Sequence, residues 1–489
     1  MESTLPVAII GAGPVGLAAA AHLIERGETP VVFEAGESIG ANVRQWGHVR
    51  MFSPWEFMVD SAMVRLLEAH GWQMPPKDTL PTGNDLVDRF MLPFSNLPEV
   101  LDTIHLNARV VAVSRRNIDK MKDAGRDAAP FVLHVVYGDD NEALVEVRAV
   151  IDASGTWHQP NPLGSGGLFA VGEKRQAQHI VYGIPDVTGK DRLRYASKRV
   201  MVVGSGHSAI NALLELAELK RDQPQTEIYW TMRGTNLTRV YGGGEDDALP
   251  ARSRLGTRIQ AHVDVGTIQM VSPFRIREIA ETIGGIDVIG ETPDGLETLQ
   301  VDEIISATGA RPDLDMLREL RLELDSSLES TRQLGPMIDP NIHSCGTVRP
   351  HGEAELRHPE KDFYIVGMKS YGRAPTFLLA TGYEQVRSVV AALVGDFKAA
   401  REVHLNLPET GVCSSDLVDG GGSCCSTTST SAQPALLSLA SIPVNGVLQS
   451  IGLQTVGLQV AARDCGCDDD CCGDGIRSTS CGCGSDCCS

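Results

Sequence analysis

Cysteine is missing from the first 344 residues of this 489-residue chain. Cys345 stands alone, and the other eleven fall in the last 77 residues. A dithiol relay is therefore excluded from the greater part of the chain. Positive charge is also scarce, with 43 Lys and Arg against 63 Asp and Glu and a net charge of −20. Such a surface argues against nucleic acid or an anionic membrane as a partner. An uninterrupted hydrophobic run of spanning length is lacking too. Residues 434–460 are apolar and uncharged, but Pro443, Asn445 and Gly446 break them, which disfavours a membrane span. The first apolar strand begins by residue 6, which leaves no room for a signal peptide and gives the cytosol, where thiols stay reduced, as the expected compartment. The hydrophobic content of 42% fits a globular protein, long enough for two to three domains.

What is present is one phosphate-cradling pattern used twice, about 190 residues apart. The first copy is Gly11-Ala12-Gly13-Pro14-Val15-Gly16, following the apolar run Val7-Ala8-Ile9-Ile10. Gly11 permits a tight turn, Gly13 lets backbone approach a pyrophosphate, and Gly16 allows close helix–strand packing. The helix expected from Pro14 to Arg26 aims its free N–H groups at the phosphates. A second strand, Val31-Val32-Phe33, ends at Glu34, where an acid grips a ribose hydroxyl pair, with Ala35 beside it. An N-terminal site of this kind indicates FAD. The following Gly36, Gly40 and Arg44-Gln45-Trp46-Gly47 form a glycine-rich stretch suited to covering a flavin, although Trp46 also suits plain core packing.

The second copy is Gly204-Ser205-Gly206-His207-Ser208-Ala209, after Val200-Met201-Val202-Val203, with Ala209 where the first copy has Gly16. The next strand, Glu227-Ile228-Tyr229-Trp230, ends near Arg233 with no carboxylate at its tip. Arginine there suits a 2′-phosphate, which favours NADPH over NADH. The alternative is that Arg233 is a solvated loop residue. Two further segments pair off: Ile151-Asp152-Ala153-Ser154-Gly155 and Ile305-Ser306-Ala307-Thr308-Gly309, both apolar strands ending in small residues that permit close approach to a ligand. The second nucleotide unit lies between them and so reads as an insertion in the first.

Between these landmarks, residues 54–70 and 85–94 have helical spacing, and 109–113, 131–136 and 144–150 read as strands of a meander. Residues 120–129 read as a charged, exposed linker. The acidic loop 240–247 is either a substrate lid or a plain surface loop.

These motifs resemble the two-dinucleotide-binding-domain flavoproteins, and within them the flavin-containing monooxygenases and related N-hydroxylases, over roughly residues 5–400. The resemblance rests on the two glycine motifs, Glu34, Ala153–Gly155, Ala307-Thr308-Gly309 and Asp362-Phe363-Tyr364-Ile365-Val366-Gly367. It implies that Gly367 meets the flavin ribityl chain and that residues 376–390 form a helix aimed at the flavin. It also implies Arg44 and Val111 as further cofactor contacts. Arg44, Gln45, Trp46, His48 and Tyr371 become candidate pocket residues, with Gln45, Trp46 and Tyr371 as catalytic candidates. The monooxygenase fingerprint Phe-x-Gly-x-x-x-His is met here only in its His-and-aromatic part, by His179-Ile180-Val181-Tyr182, because Phe169 and Gly172 stand too far upstream. Disulfide reductases of the same superfamily carry a cysteine pair beside the flavin or inside the NADPH domain, and this chain has none there.

The expected fold is α/β, with two Rossmann-like dinucleotide-binding domains, for FAD and NADPH, the second inserted in the first, and a Cys-rich tail. The boundaries read as 1–158 and 306–407 for the FAD domain, 159–305 for the NADPH domain and 408–489 for the tail. In that tail Cys465, Cys467, Cys471 and Cys472 are echoed 16 residues later by Cys481, Cys483, Cys487 and Cys488, both in the pattern Cys-x-Cys-x-x-x-Cys-Cys. Thiolates so dense suit a thiophilic metal or metalloid such as Zn(II), Cu(I) or As(III). Asp468, Asp469 and Asp470 raise the thiol pKa by like charge, which suits metal capture more than a hyper-reactive nucleophile. A low-complexity tail and a redox relay to the flavin remain open beside this.

The resemblance implies an NADPH-dependent FAD monooxygenase acting on a soft nucleophile (sulfur, nitrogen or arsenic), with the tail linking it to metal or arsenic resistance. Its partners are a small-molecule substrate and O2, with a homodimer left open. Two alternatives stand: a reductase passing electrons to tail disulfides or a thiophilic metal ion, and a non-enzymatic metal-binding flavoprotein.

Overall fold

The computed structural model describes residues 5–138, 140–235, 241, 250–342, 349–374 and 377–405. Every cysteine of the chain, including the eight candidate metal ligands, and most of the acidic loop 240–247 lie outside the described residues. In chain order the strands are β1 (Val7–Ile10), β2 (Pro30–Phe33), β3 (Ile104–His105), β4 (Ala108–Arg115), β5 (Phe131–Tyr137), β6 (Glu142–Val147), β7 (Ala149–Asp152) and β8 (Ile180–Tyr182). They continue as β9 (Arg199–Val203), β10 (Glu227–Thr231), β11 (Gln269–Val271), β12 (Arg275–Thr282), β13 (Gly285–Thr292), β14 (Gly295–Val301), β15 (Glu303–Ser306) and β16 (Phe363–Ile365). The helices that matter here are α1 (Pro14–Glu25), α2 (Ala41–Gln45), α3 (Ser61–Ala69), α4 (His207–Asp222) and α5 (Leu379–Leu393).

Two parallel sheets carry the architecture, ordered β16-β7-β1-β2-β3 and β11-β10-β9-β15-β8. Their central strands are apolar on both faces, as strands covered on both sides must be. In each sheet the strand before the glycine turn, β1 or β9, sits between one strand that follows it directly and one that returns from far along the chain. Each turn therefore opens at the carboxyl edge of its sheet, at a point where strand order reverses, which is where open α/β sheets bind ligands. All strands of the second sheet fall between β7 and β16 in sequence, so the second sheet is an insertion. Each sheet is accompanied by a three-stranded antiparallel meander, β4-β5-β6 and β12-β13-β14.

Helix α1 buries Leu17, Leu23 and the alanine run 18–21 completely. Its small side chains let it lie close between the first sheet and α5. Asp60 sets the start of α3, its Oδ1 accepting from the backbone N of Ala62 and of Met63 at 2.9 Å each. The cap splits residues 54–70 into a single turn at Trp55–Phe57 and then α3, rather than one helix.

Three expectations need correction. Residues 144–150 are not one strand: β6 ends at Val147 in the meander, and β7 begins at Ala149 in the parallel sheet. Between them the backbone N–H of Arg148 bonds to the Pro6 carbonyl at 3.0 Å. The residues on either side, Val147 and Ala149, are both buried and apolar, so hydrophobicity could not mark the break. The linker 120–129 is not wholly exposed, because Arg126 is 2% exposed and pairs with Glu360 at 2.7 Å. The helix expected over 376–390 runs from Leu379 to Leu393, with Leu378 as its cap. No helix among the described residues is long and apolar enough to cross a membrane.

Candidate dinucleotide sites

The first turn is built around Gly11, whose φ of +100° only glycine adopts without strain. A Cβ there would stand 2.9 Å from the Ala153 carbonyl oxygen, and one at Gly16 would overlap the Gly11 carbonyl. Gly13 differs: a Cβ there would meet nothing within 4 Å. The space in front of Gly13 is bounded by the N-terminus of α1, where Pro14 occupies the first turn. Gly155, at φ +72°, likewise faces open space. Donors at a helix N-terminus with open room before a glycine fit a pyrophosphate. Glu34 follows β2, and its carboxylate accepts from the backbone N–H of Ala12 at 2.7 Å and of Gly36 at 2.8 Å. It is thereby anchored beside the same space, with Ala35 half-buried next to it. These residues fit the adenosine and pyrophosphate parts of FAD.

The second turn repeats the arrangement. Gly204 has φ +131°, and a Cβ there would overlap the Ala307 carbonyl, as one at Gly11 would press on Ala153. Gly206 caps α4 and, like Gly13, has nothing within 4 Å of its missing Cβ. Ser205 is exposed and Ser208 half-buried. Ala209 is fully buried, so this turn accommodates the methyl group that Gly16 excludes. Trp230 on β10 donates its indole N–H to the Gly204 carbonyl at 2.7 Å. Thr308 Oγ1 donates to the Asn161 carbonyl at 2.7 Å, and the Gly309 carbonyl accepts from the Asn161 N–H at 2.9 Å. Arg233, exposed just beyond β10, donates to the Ser165 carbonyl at 3.0 Å.

Gly367 closes the first site from the far side. Its φ is +68°, and a Cβ would meet the Val15 side chain at 3.4 Å. Its N–H donates to Gln385 Oε1 at 2.8 Å, and the Gln385 amide donates to His351 Nε2 at 2.9 Å and to Ser370 Oγ at 3.0 Å. Burial lowers the His351 pKa. The ring is therefore neutral, with Nε2 accepting and Nδ1 donating to the Arg349 carbonyl at 3.0 Å. Every polar group of this chain of contacts has a partner, so the strand-to-turn junction at Gly367 is rigidly held.

The candidate catalytic residues are distributed unevenly. Gln45 Oε1 accepts from Trp157 Nε1 at 2.7 Å, tying the end of α2 to the chain just past Gly155. Trp46 packs against Gly83, where a Cβ would come within 2.9 Å of its ring. Tyr371 is 3% exposed and meets Phe377 edge-on at 5.1 Å and His351 at 5.6 Å between ring centroids. Arg44 pairs with Asp88 at 2.5 Å. Val111 is 38% exposed on β4, at a register shift between Val110 and Ala112. His179 bonds to the Asp302 carbonyl at 3.1 Å at the entry to β8.

Sequence reasoning missed the most buried charges of the site. Lys369 Nζ lies 2.7 Å from Asp152 Oδ2 and donates to Ser154 Oγ at 3.0 Å, with both ionic side chains wholly buried. The pair joins the carboxyl end of β7 to the turn after β16, beside Ala153–Gly155. Breaking such a pair from one side costs about 3–5 kcal/mol. A lysine two residues past a glycine carries no sign of a partner 217 positions away. Also missed was the contact between the two halves, where Phe52 lies over His207, the first residue of α4, at 5.2 Å between centroids.

A family model described as pyridine nucleotide-disulphide oxidoreductase matches residues 5–361. The chain belongs to that family. The pyridine nucleotide-disulphide oxidoreductase fold has two nucleotide sites, and FAD and NADP(H) fit the two turns described above. The protein is a flavin-dependent oxidoreductase, and its fold is the two-domain flavoprotein fold. Among curated relatives, a ferredoxin–NADP reductase of Lactobacillus johnsonii is 23% identical over 395 residues, covering 80% of this chain and 94% of the relative. Flavin-containing monooxygenase 1 of Mus musculus is 27% identical over 223 residues, covering 44% of this chain and 38% of the relative. Among solved structures, a bacillithiol disulfide reductase from Bacillus cereus superposes with a TM-score of 0.59 at 19% identity, covering 82% of this chain and 100% of that one.

Proposed function

We propose that this oxidoreductase is an NADPH-dependent monooxygenase that passes one oxygen atom of O2 to a small soft nucleophile. The observation that carries the reading is the lack of any cysteine in residues 1–344, which hold both glycine turns. With no cysteine pair in either nucleotide-binding half, where Cys345 stands alone, electrons from NADPH need an acceptor from outside, and O2 is small enough to reach a covered flavin. FAD, when bound, supplies hydride acceptance and oxygen chemistry. The overall change balances as NADPH, H+, O2 and substrate giving NADP+, water and oxygenated substrate.

The chain's own residues hold and shield. Gly13 and the N-terminus of α1 take the pyrophosphate, and Glu34 takes the ribose. The buried Tyr371, packed edge-on against Phe377, keeps water out. Gly204, Gly206 and Arg233 take the second nucleotide, and Arg233 supplies the charge that prefers a 2′-phosphate. In this reading the tail thiols capture a thiophilic metalloid, which favours arsenic among the soft nucleophiles sulfur, nitrogen and arsenic. The test supplies 18O2 and NADPH with a thioether or arsenite. Label in the product, at one O2 consumed per NADPH, supports the reading; NADPH oxidation that proceeds unchanged without O2 overturns it. Arg233→Ser should lower the NADPH-over-NADH ratio of kcat/KM about tenfold or more. Removing residues 409–489 should leave NADPH oxidation intact and abolish As(III) binding.

A second reading is favoured by the ferredoxin–NADP reductase relative, which this chain matches over 94% of that protein's length. In it, electrons from NADPH reduce disulfides of the tail, each taking two electrons and two protons to give two thiols. Anaerobic appearance of tail thiols on adding NADPH would select it.

A further inference from the structure

Three side chains that neither nucleotide site uses converge where the loop after α2 meets the inserted half. His48 comes from that loop, Asp186 from the connection between β8 and β9, and Glu215 from the middle of α4. One ligand atom from each, an imidazole nitrogen and two carboxylate oxygens, lies within 4.8 Å of the others. His48 Nε2 stands 3.6 Å from Glu215 Oε1, beyond hydrogen-bond range, and is buried with no hydrogen-bond partner.

The surroundings hold these groups in place from behind. A backbone hydrogen bond at Pro185 steadies the His48 ring. Glu215 Oε2 accepts from the Val187 N–H at 3.0 Å, leaving Oε1 turned toward His48. Asp186 accepts from the N–H groups of Gly189 at 2.9 Å and Lys190 at 3.3 Å. Among the described residues, neither carboxylate has an ion pair with Lys or Arg, though the charges of Lys190 and Asp191 are felt at His48. Hydrogen bonds that anchor an imidazole and two carboxyl groups from behind are how proteins orient metal ligands. Neighbouring ligands on an octahedral ion with bonds of about 2.1 Å sit about 3 Å apart, so the His48–Glu215 separation of 3.6 Å needs closing by about half an ångström.

We propose that His48 Nε2, Asp186 and Glu215 bind one divalent transition-metal cation, which clamps the loop after α2 to the inserted half. One nitrogen and two oxygens suit Mn(II) or Fe(II), whereas the thiols of the tail suit softer ions. The two kinds of site therefore draw on different metals, and Mn(II) is a probe that the thiols do not hold.

The experiment titrates the full-length, FAD-loaded protein with Mn(II), without NADPH because its phosphates also bind the ion. Free Mn(II) is followed by electron paramagnetic resonance. Glu215→Gln and Asp186→Asn should each weaken one Mn(II) site by at least about tenfold, while Glu297→Gln, on exposed β14, should leave it unchanged. Spin-echo modulation from a single imidazole nitrogen on the wild-type complex is expected and does not depend on any variant folding. Absence of that nitrogen signal overturns the proposal, as does equal Mn(II) affinity in wild type, Glu215→Gln and Asp186→Asn.

Discussion

Gly13 and Gly16 lie three residues apart in one motif, yet the physical reasons for them differ. Gly16 has no room for a Cβ because the Gly11 carbonyl occupies it, whereas Gly13 has empty space in front of it. Gly16→Ala should therefore damage folding, while Gly13→Ala should fold normally and lose FAD by at least about tenfold, since its methyl group stands where a pyrophosphate must approach. Circular dichroism with bound-flavin absorbance separates the two, and a Gly13→Ala protein that keeps full flavin would contradict the placement of the cofactor.

Glu360 is the other residue on which much depends. It accepts from Arg115 at 2.8 Å, Arg126 at 2.7 Å and the Arg321 N–H at 3.0 Å. Burial acts to raise its pKa, but the hydrogen bonds from Arg126 and Arg115 outweigh this and hold it below the usual carboxylate range. Glu360→Gln strands two buried guanidinium groups and should destabilise the chain by about 3–5 kcal/mol in denaturant unfolding. The motif glycines were readable from the sequence because their neighbours in the chain explain them. Glu360 was not, because both guanidinium groups that pair with it come from more than two hundred positions away.

At the scale of elements, each parallel strand positions a turn, and what braces the turn is not always in the motif. Strand β10 ends beside the second glycine turn, and Trp230 on it holds the Gly204 carbonyl. Losing one such hydrogen bond is worth about 1 kcal/mol. Trp230→Phe should raise the KM for the nicotinamide nucleotide roughly fivefold and leave FAD content unchanged; steady-state kinetics with a flavin assay checks both. The strand itself was legible as a run of apolar residues, but the use of its tryptophan was not, because an indole in a buried strand reads as core. The same limit explains the break at Arg148. The partly exposed β6 and the buried β7 follow one another with Val147 and Ala149 both buried, and only pairing partners separate the two strands. The first half of the π-helical and α-helical run from Gly83 to Ser95, by contrast, has a local signal, since Thr82 and Asp85 form a reciprocal cap.

At the scale of the whole molecule, stability should depend on pH in a definite direction. His358 is 3% exposed, and burial pushes its pKa down from 6.5 to about 4. Between those values the unfolded chain binds a proton that the folded chain refuses, so stability falls as pH drops from about 6.5 toward 4. His358→Asn retains an acceptor for the Glu323 N–H and should flatten part of that slope. Equal slopes in wild type and variant, read from unfolding midpoints across this range, would remove the residue from the account.

The sequence by itself determined that two glycine turns follow two buried strands, that an acid stands at the tip of one unit and an arginine at the other, and that thiols are confined to the C-terminal part. These are local patterns, set by backbone conformation and side-chain type within a few residues. Tertiary structure alone decided that Lys369 neutralises Asp152, that Gln385 and His351 secure Gly367, and that His48 reaches across to Asp186 and Glu215. Burial makes those pairings matter, because a charge or polar group removed from water must find its partner wherever the fold brings one.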